Sequence, residues 1–422
     1  MKILAIGDAT NNFYLMQKYA KNIKIHLIDF PKAGTETKAH SSPPGEVELF
    51  DSLLISKQVD KIKQIKDEFD LCIAKPWAGA RIAYLAGLNY ILYFTGSDII
   101  TPPFVKNAKF SYSNEVTENF NFLERSFYRK VFDSAIACVS TSDEYFLPLQ
   151  KYRKDAIRID RICVDTELFH ENVSKSDLQK KKFTFLAPQR LGLEKGYDLI
   201  WDAINLCKSD FDFLQVKWFV EANRGGTTVI DPNKLSKINM DLYENAPSQV
   251  KFIPLIDHKD LGKYFAAVDV IMGQMRSGDI SGIEREAAFC KKPVLSYSDP
   301  NKKTILDGKE VESPFLPKSR EPNELAKLID KIVESKEFRD DLASKEYEYI
   351  KNVSTPELVM KDWEFIFEKF TRKYKTINRK VSFSEKIVNY FGLLFEKLYI
   401  KKFKEKNIQA RGEKEYELLT RK

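Results

Sequence analysis

Three short segments combine charge, glycine and placement in ways that suit the binding of a polyanion. The first is Arg190-Leu-Gly-Leu-Glu-Lys195-Gly196, which follows the apolar run 183–187 and precedes a helix-like stretch at 197–207. A strand, a glycine turn and a helix bring backbone N–H groups and a positive helix terminus to one point. Arg190 adds a planar fork and Lys195 a mobile point charge, a pairing suited to a diphosphate. A solvated basic turn is the other reading of the same residues, and no Walker A pattern GxxxxGK[ST] occurs. The second segment is Gly278-Asp279-Ile-Ser281-Gly282-Ile-Glu284-Arg-Glu286, again a glycine loop between an apolar run, 268–272, and a helix. Glu284 and Glu286 are two residues apart and diverge on a helix, so one is expected to face a ligand and the other solvent. The third, Thr95-Gly96-Ser97-Asp98, sets a carboxylate at the end of the run 90–94.

Other chemistries find little support. Asp210-Phe211-Asp212 looks like a metal-binding DxD, but it precedes an apolar run and follows a charged turn, so it reads as a turn and no metal is expected. The five cysteines, Cys72, Cys138, Cys163, Cys207 and Cys290, share no metal-ligand or disulfide spacing, and the four histidines are isolated. A reducing compartment follows, and the cytoplasm is the expected location. The longest uncharged stretch, 82–97, is short of the ~20 apolar residues a spanning helix needs. The N-terminal apolar run 3–6 ends at Asp8 before a secretory signal could form.

The net charge of 68 − 61 = +7 is unevenly spread. From Thr371 onward there are 15 Lys/Arg against 6 Asp/Glu, which leaves 53 against 55 in the rest. A near-neutral body with a basic tail argues against a nucleic-acid enzyme, whose groove would carry the positive field.

The segments that must position these residues alternate. Apolar runs at 2–7, 23–29, 71–74, 90–94 and 135–140 are separated by helix-length stretches, and the pattern restarts at 183–187, 215–220, 250–253, 268–272 and 293–297. Short buried strands alternating with helices predict parallel sheets covered on both faces. The reading is α/β, two Rossmann-like doubly wound domains facing a cleft, with C-terminal helices. The boundaries fall at 1–170 for the first domain, 171–182 for a polar linker and 183–354 for the second domain. A helix at 355–375 returns toward the first domain, and 376–422 forms a basic amphipathic tail. In that tail Ile387, Val388, Phe391, Leu394, Phe395 and Leu398 share one helical face, flanked by Arg379, Lys380, Lys401, Lys402, Lys404 and Lys406. The stretch 379–406 suits an anionic membrane surface, and it equally suits packing on the body.

Together these segments resemble the family-4 (group 1) glycosyltransferases of the GT-B fold, over about residues 1–370. Ile162-Cys-Val164-Asp165-Thr166-Glu-Leu-Phe169 looks like the family's G-V-D-T-x-x-F, and Arg190 with Lys195-Gly196 matches R-L-x-x-x-K-G. The stretches 250–252 and 264–270 resemble V-x-F and Y-x-x-A-D-V, and 286–294 resembles E-A-x-A-x-G-x-P-V. The resemblance implies transfer of a sugar from a nucleotide-sugar donor, such as a UDP- or GDP-sugar, to a glycan or lipid-linked acceptor. It implies retention of configuration and no cofactor or metal. Arg190 and Lys195 would clamp the diphosphate, with backbone N–H groups of Ser281 and Gly282 near its distal phosphate. Glu286 would meet the ribose, Ile253 to Leu255 would flank the base, and Asp98 would lie by the sugar or acceptor. The sequence departs from the family where Gly278 replaces the first carboxylate of E-x7-E, with Asp279 adjacent, and where Thr95-Gly96 replaces His-Gly. A degenerate scaffold or binding subunit, or a nucleotide-sugar epimerase, are the rival readings. No nucleic-acid partner is expected.

Overall fold

The computed structural model describes residues 1–8, 10–30, 46–52, 54–96, 98–100, 102–105, 122–220, 228–229 and 237–398. Ser97 and the tail lysines 401–406 lie outside the described residues, as do the side chains of 391–398.

The first sheet begins with β1 (Lys2–Ile6), followed by α1 (Asn12–Tyr19), β2 (Lys24–Asp29), β3 (Glu48–Leu49), α2 (Ile55–Ile65) and β4 (Leu71–Ala74). It continues through α3 (Ala78–Leu85), β5 (Tyr90–Phe94), α4 (Phe122–Asp133), β6 (Ala137–Ser140), α5 (Ser142–Tyr152) and β7 (Ile157–Arg158). Its strand order is β3-β2-β1-β4-β5-β6-β7, with every pairing parallel. Ile3, Leu4, Ala5 and Ile6 are all fully buried because both faces are covered. Leu4 and Ile6 join one core layer, Ile3 and Ala5 the other. The chain order reverses between β1 and β4, which opens a crevice where the loops after these strands diverge.

The second sheet repeats the scheme. It runs from β8 (Thr184–Ala187) through α6 (Tyr197–Leu206) to β9 (Asp212–Val216). A small hairpin, β10 (Phe219–Val220) with β11 (Thr228–Val229), leads to α7 (Lys237–Glu244) and β12 (Val250–Ile253). Then come α8 (His258–Ala267), β13 (Val270–Met272), α9 (Gly282–Phe289) and β14 (Val294–Leu295). The order β12-β9-β8-β13-β14 is again parallel throughout, with its switch point between β8 and β13. A second hairpin, β15 (Thr304–Leu306) with β16 (Lys309–Val311), precedes α10 (Pro322–Glu334), α11 (Lys336–Ser354), α12 (Pro356–Lys373) and α13 (Phe383–Leu398).

Two expectations change here. The apolar run 215–220 is not one strand: β9 starts at Asp212 and leaves the sheet after Val216, and Phe219–Val220 belongs to the hairpin. Asp210-Phe211-Asp212 is therefore a strand entrance and not a turn throughout, with Asp210 paired to Lys182 and Asp212 to Lys251. These carboxylates sit at the amino end of β9, away from the strand ends that hold ligands in such sheets.

Helix α12 completes the core of the first domain. α12 lays Val359, Met360, Trp363, Ile366, Phe367 and Phe370 into the layer under Ile3 and Ala5, and Trp363 meets Tyr93 edge-on at 4.7 Å. The start of the expected tail is also part of this body. Ile377 is buried in the other layer of the same domain. Asn89 donates from its backbone to Ile377 O (2.6 Å) and from its side chain to Thr376 O (2.9 Å). Arg379, expected to flank a membrane-facing stripe, is ion-paired with Glu385 at 2.5 Å and stacks over Tyr84.

Candidate active site

The two switch points face one cleft of about 1040 Å³. From the first domain its wall takes Thr10, Asn11 and Asn12 after β1, Lys75 and Pro76 after β4, and Thr95, Gly96 and Asp98 after β5. From the second it takes Glu194 and Lys195 after β8, and residues 274 and 276–282 after β13, with Arg285 and Glu286 from α9.

The second wall is assembled by tight backbone contacts. Gly196 has φ +79°, and a Cβ there would stand 2.9 Å from Met275 Cβ, so only glycine lets the loops after β8 and β13 touch. Met275 N then donates to Lys195 O at 2.8 Å. Lys195 Nζ reaches Gln274 Oε1 at 3.4 Å and otherwise lines the cleft. Burial, reinforced by the nearby Arg190 charge, holds its ammonium below the ordinary lysine range. Such a group gains stability from an anion. Arg190 itself is beside the cleft and not in its lining, with its guanidinium 6.0 Å from the Trp218 ring centre.

Glu284 overturns the expectation of a solvated charge. It is fully buried and accepts from Gln274 N (2.7 Å), Ser296 Oγ (2.9 Å) and Ser281 N (2.5 Å), the last within a capping box that starts α9. One carboxylate thus fixes both ends of the cleft loop. Ser281 and Gly282 line the cleft at the start of α9, where a Cβ on Gly282 would meet nothing within 4 Å. Gly278, where the family pattern asks for a carboxylate, has φ +78° and packs against Asp299, 2.7 Å from an added Cβ. Asp279 lines the cleft with its carboxylate engaged by both domains: it accepts from Ser142 Oγ of the first at 3.0 Å and pairs with Lys302 of the second at 3.4 Å.

Glu286 lines the cleft and is hydrogen-bonded to His258 Nε2 at 2.8 Å. Burial pulls the imidazole pKa down, but the Glu286 charge and hydrogen bond outweigh it, and the net shift is upward. Ile253 ends β12 against the hydrophobic core, and Leu255 is half-buried in the loop beyond it; neither lines the cleft.

On the first wall Thr95 and Asp98 line the cleft, and beside them stands Lys75, which sequence reasoning missed. Its Nζ donates to Thr95 Oγ1 at 2.7 Å and lies 4.3 Å from the Tyr93 ring centre. Burial lowers its pKa to about 8 against the opposing charges of Asp8 and Asp98. Burial likewise raises the Asp98 pKa, partly offset by Lys75. Lys75 directly follows the strand Leu71–Ala74 at the switch point, so strand position alone could have found it. His258 is different, because it lies 28 residues from Glu286 on a separate helix and no local pattern links them.

Residues 169–349 match the family described as glycosyl transferases group 1. Solved structures with similar folds include Anabaena HepE in complex with UDP and glucose, at 17% identity and TM-score 0.59, covering 87% of this chain and 100% of that one. Sucrose-phosphate synthase from Thermosynechococcus elongatus is similar at 13% identity and TM-score 0.61, covering 88% and 100%. An alpha-glucosyltransferase in complex with UDP and a 13-mer DNA containing an HMU base aligns at 11% identity and TM-score 0.61, covering 87% and 99%. No curated protein matches the chain in sequence. The chain has the GT-B fold, and its second domain matches the group 1 glycosyl transferases.

Proposed function

We propose that this protein transfers a sugar from a nucleotide-sugar donor, with retention and without a metal, to a glycan or lipid-linked acceptor. The observation that carries the reading is the pair of facing switch points, with Lys195 and Glu286 on one wall and Lys75 and Asp98 on the other. Lys195, backed by the N-terminus of α9 with Ser281 and Gly282, neutralises the charge that grows on the departing diphosphate. Arg190 adds to that positive field from beside the cleft. Glu286 accepts from the ribose. Asp98 and Lys75 offer an acceptor and a donor to hydroxyls of the sugar or acceptor. Domain contact across the cleft excludes the water that would otherwise hydrolyse the donor.

A panel of nucleotides and nucleotide sugars screened for protection against thermal unfolding tests this reading. A ligand at 100 times its Kd adds ~2.7 kcal/mol of stability. Lys195→Ala should abolish that protection and cut turnover roughly 10²-fold. Full activity in that variant refutes the assignment. The backbone at Gly278 excludes the family's carboxylate there, which keeps a non-catalytic binding subunit as the second reading. Protection by a nucleotide without any turnover of the matching sugar donors would establish it.

A lipid-linked acceptor is favoured by α13, where Phe383 is 79% and Val388 60% exposed, beside the exposed Ile387 and Tyr390. The apolar face of this helix suits the headgroup plane of an anionic membrane, and this supports a peripheral position at the inner face of the cell membrane. No helix among the described residues is long and apolar enough to cross a membrane.

A further inference from the structure

His258 and Glu286 form a pair that nothing in the local sequence announces. His258 opens α8, Glu286 lies in α9, and the side chains are 10% and 13% exposed. Nε2 meets Oε1 at 2.8 Å. The imidazole is set edge-on against Phe169, with ring centres 5.2 Å apart, which limits its swing. Both partners have one atom left over: Glu286 Oε2 and His258 Nδ1 are buried and have no hydrogen-bond partner among the described residues. Buried carboxylate oxygens are nearly always satisfied. On a cleft wall, an orphaned one marks the place of a ligand's donor.

We infer that His258 is a positioning residue: its Nε2–H holds Oε1 and leaves Oε2 to accept from a ribose hydroxyl of the bound nucleotide. The inference rests on the reading of Glu286 given above and extends it to a residue outside the cleft lining. Without His258, Glu286 has a second rotamer choice and an additional uncompensated oxygen, and both cost affinity for a hydroxyl-bearing ligand.

The test is calorimetric titration of the full chain with the tighter-binding of UDP and GDP, and with the 2′,3′-dideoxy form of that nucleotide. His258→Leu should weaken the ribonucleotide about tenfold, the scale of one charge-assisted hydrogen bond. His258→Gln, which keeps a donor near Nε2, should restore most of it. Neither change should alter affinity for the dideoxy nucleotide, a selectivity that general damage to α8 would not produce. In turnover assays the loss should fall on KM and leave kcat nearly unchanged. If Glu286→Ala weakens the ribonucleotide while His258→Leu does not, the positioning role is refuted and the ribose reading stands. The positioning role is equally refuted if His258→Leu weakens both nucleotides alike. If Glu286→Ala has no effect, or neither nucleotide binds, the ribose reading fails and the role of His258 fails with it.

Discussion

Lys75 is a buried ammonium on a cleft wall, with one side-chain hydrogen bond among the described residues, to Thr95 Oγ1. Such a group costs folding free energy, because burial disfavours the charge more than the Asp8 and Asp98 carboxylates and the Phe13 and Tyr93 ring faces favour it. Its pKa is depressed to about 8, so the unfolded chain binds more protons between that value and the ordinary lysine range. Stability therefore rises with pH across this window. Lys75→Met should leave the thermal midpoint unchanged or higher, remove that rise, and lower turnover at least tenfold. A lower midpoint with activity kept would show that the lysine is structural. Glu284 is the opposite case. Glu284→Ala strands three donors around the cleft loop and should cost roughly 3 kcal/mol, with nucleotide affinity falling alongside; urea unfolding of the variant measures it. Sequence reading found the loop at 278–286 but reversed the part of Glu284, because helical spacing gives direction and not depth. It passed over Lys75 because it looked for glycine loops and did not weigh the residue that directly follows each apolar strand at its carboxyl end.

At the scale of elements, β1, β4 and β5 were legible because each is an unbroken apolar run buried on both faces. The two-residue edge strands β3 and β7 leave no such trace, and β9 was misplaced because the apolar run 215–220 spans a strand end and a hairpin. The C-terminal stretch shows a further limit. Basic residues after Tyr374 look like a detachable tail, yet Ile377 fills a core layer, Asn378 bonds Lys66 and Asp67, and Arg379 N donates to Gly87 O. These contacts join positions some 300 residues apart, which no window of sequence reveals. A chain ending at Tyr374 should lose about 2–5 kcal/mol, the range for emptying a buried Ile site. A chain ending at Ser382 keeps the anchor and loses α13 with the basic stretch 399–422. It should melt like the full protein and bind nucleotide normally, yet fail to sediment with anionic liposomes. If it sediments as the full chain does, the membrane element does not lie in 383–422.

On the scale of the whole molecule, the domains meet through titratable groups. The first turn of α5 presents Ser142 and Glu144 to the loop bearing Asp279, and Lys302 Nζ stands between the carboxyls, 3.3 Å from Glu144 and 3.4 Å from Asp279. Nearby, Asp160 accepts from Ile305 N and Arg158 donates to Lys303 O, so the β15–β16 hairpin is held by the same face. Burial raises the Glu144 pKa to about 7, helped by its hydrogen bond to the Asp279 carboxyl and opposed by Lys302. A carboxyl raised in the contact state carries a proton there that it lacks when the domains part. The contribution to domain contact is fully present below the ordinary glutamate pKa and is lost as pH rises through about 7. Above that, two carboxylates face each other with one ammonium between them. Fluorescence transfer between labels on the two domains should report more contact at pH 5 than at pH 8. Glu144→Gln supplies the hydrogen bond without a titrating proton, so it should hold the contact at pH 8 and flatten the profile. A Glu144→Gln protein that keeps the wild-type profile would move the titration to another group. The same exchange should tighten nucleotide-sugar retention at pH 8 and slow product release, since opening would then break a bond that no longer titrates.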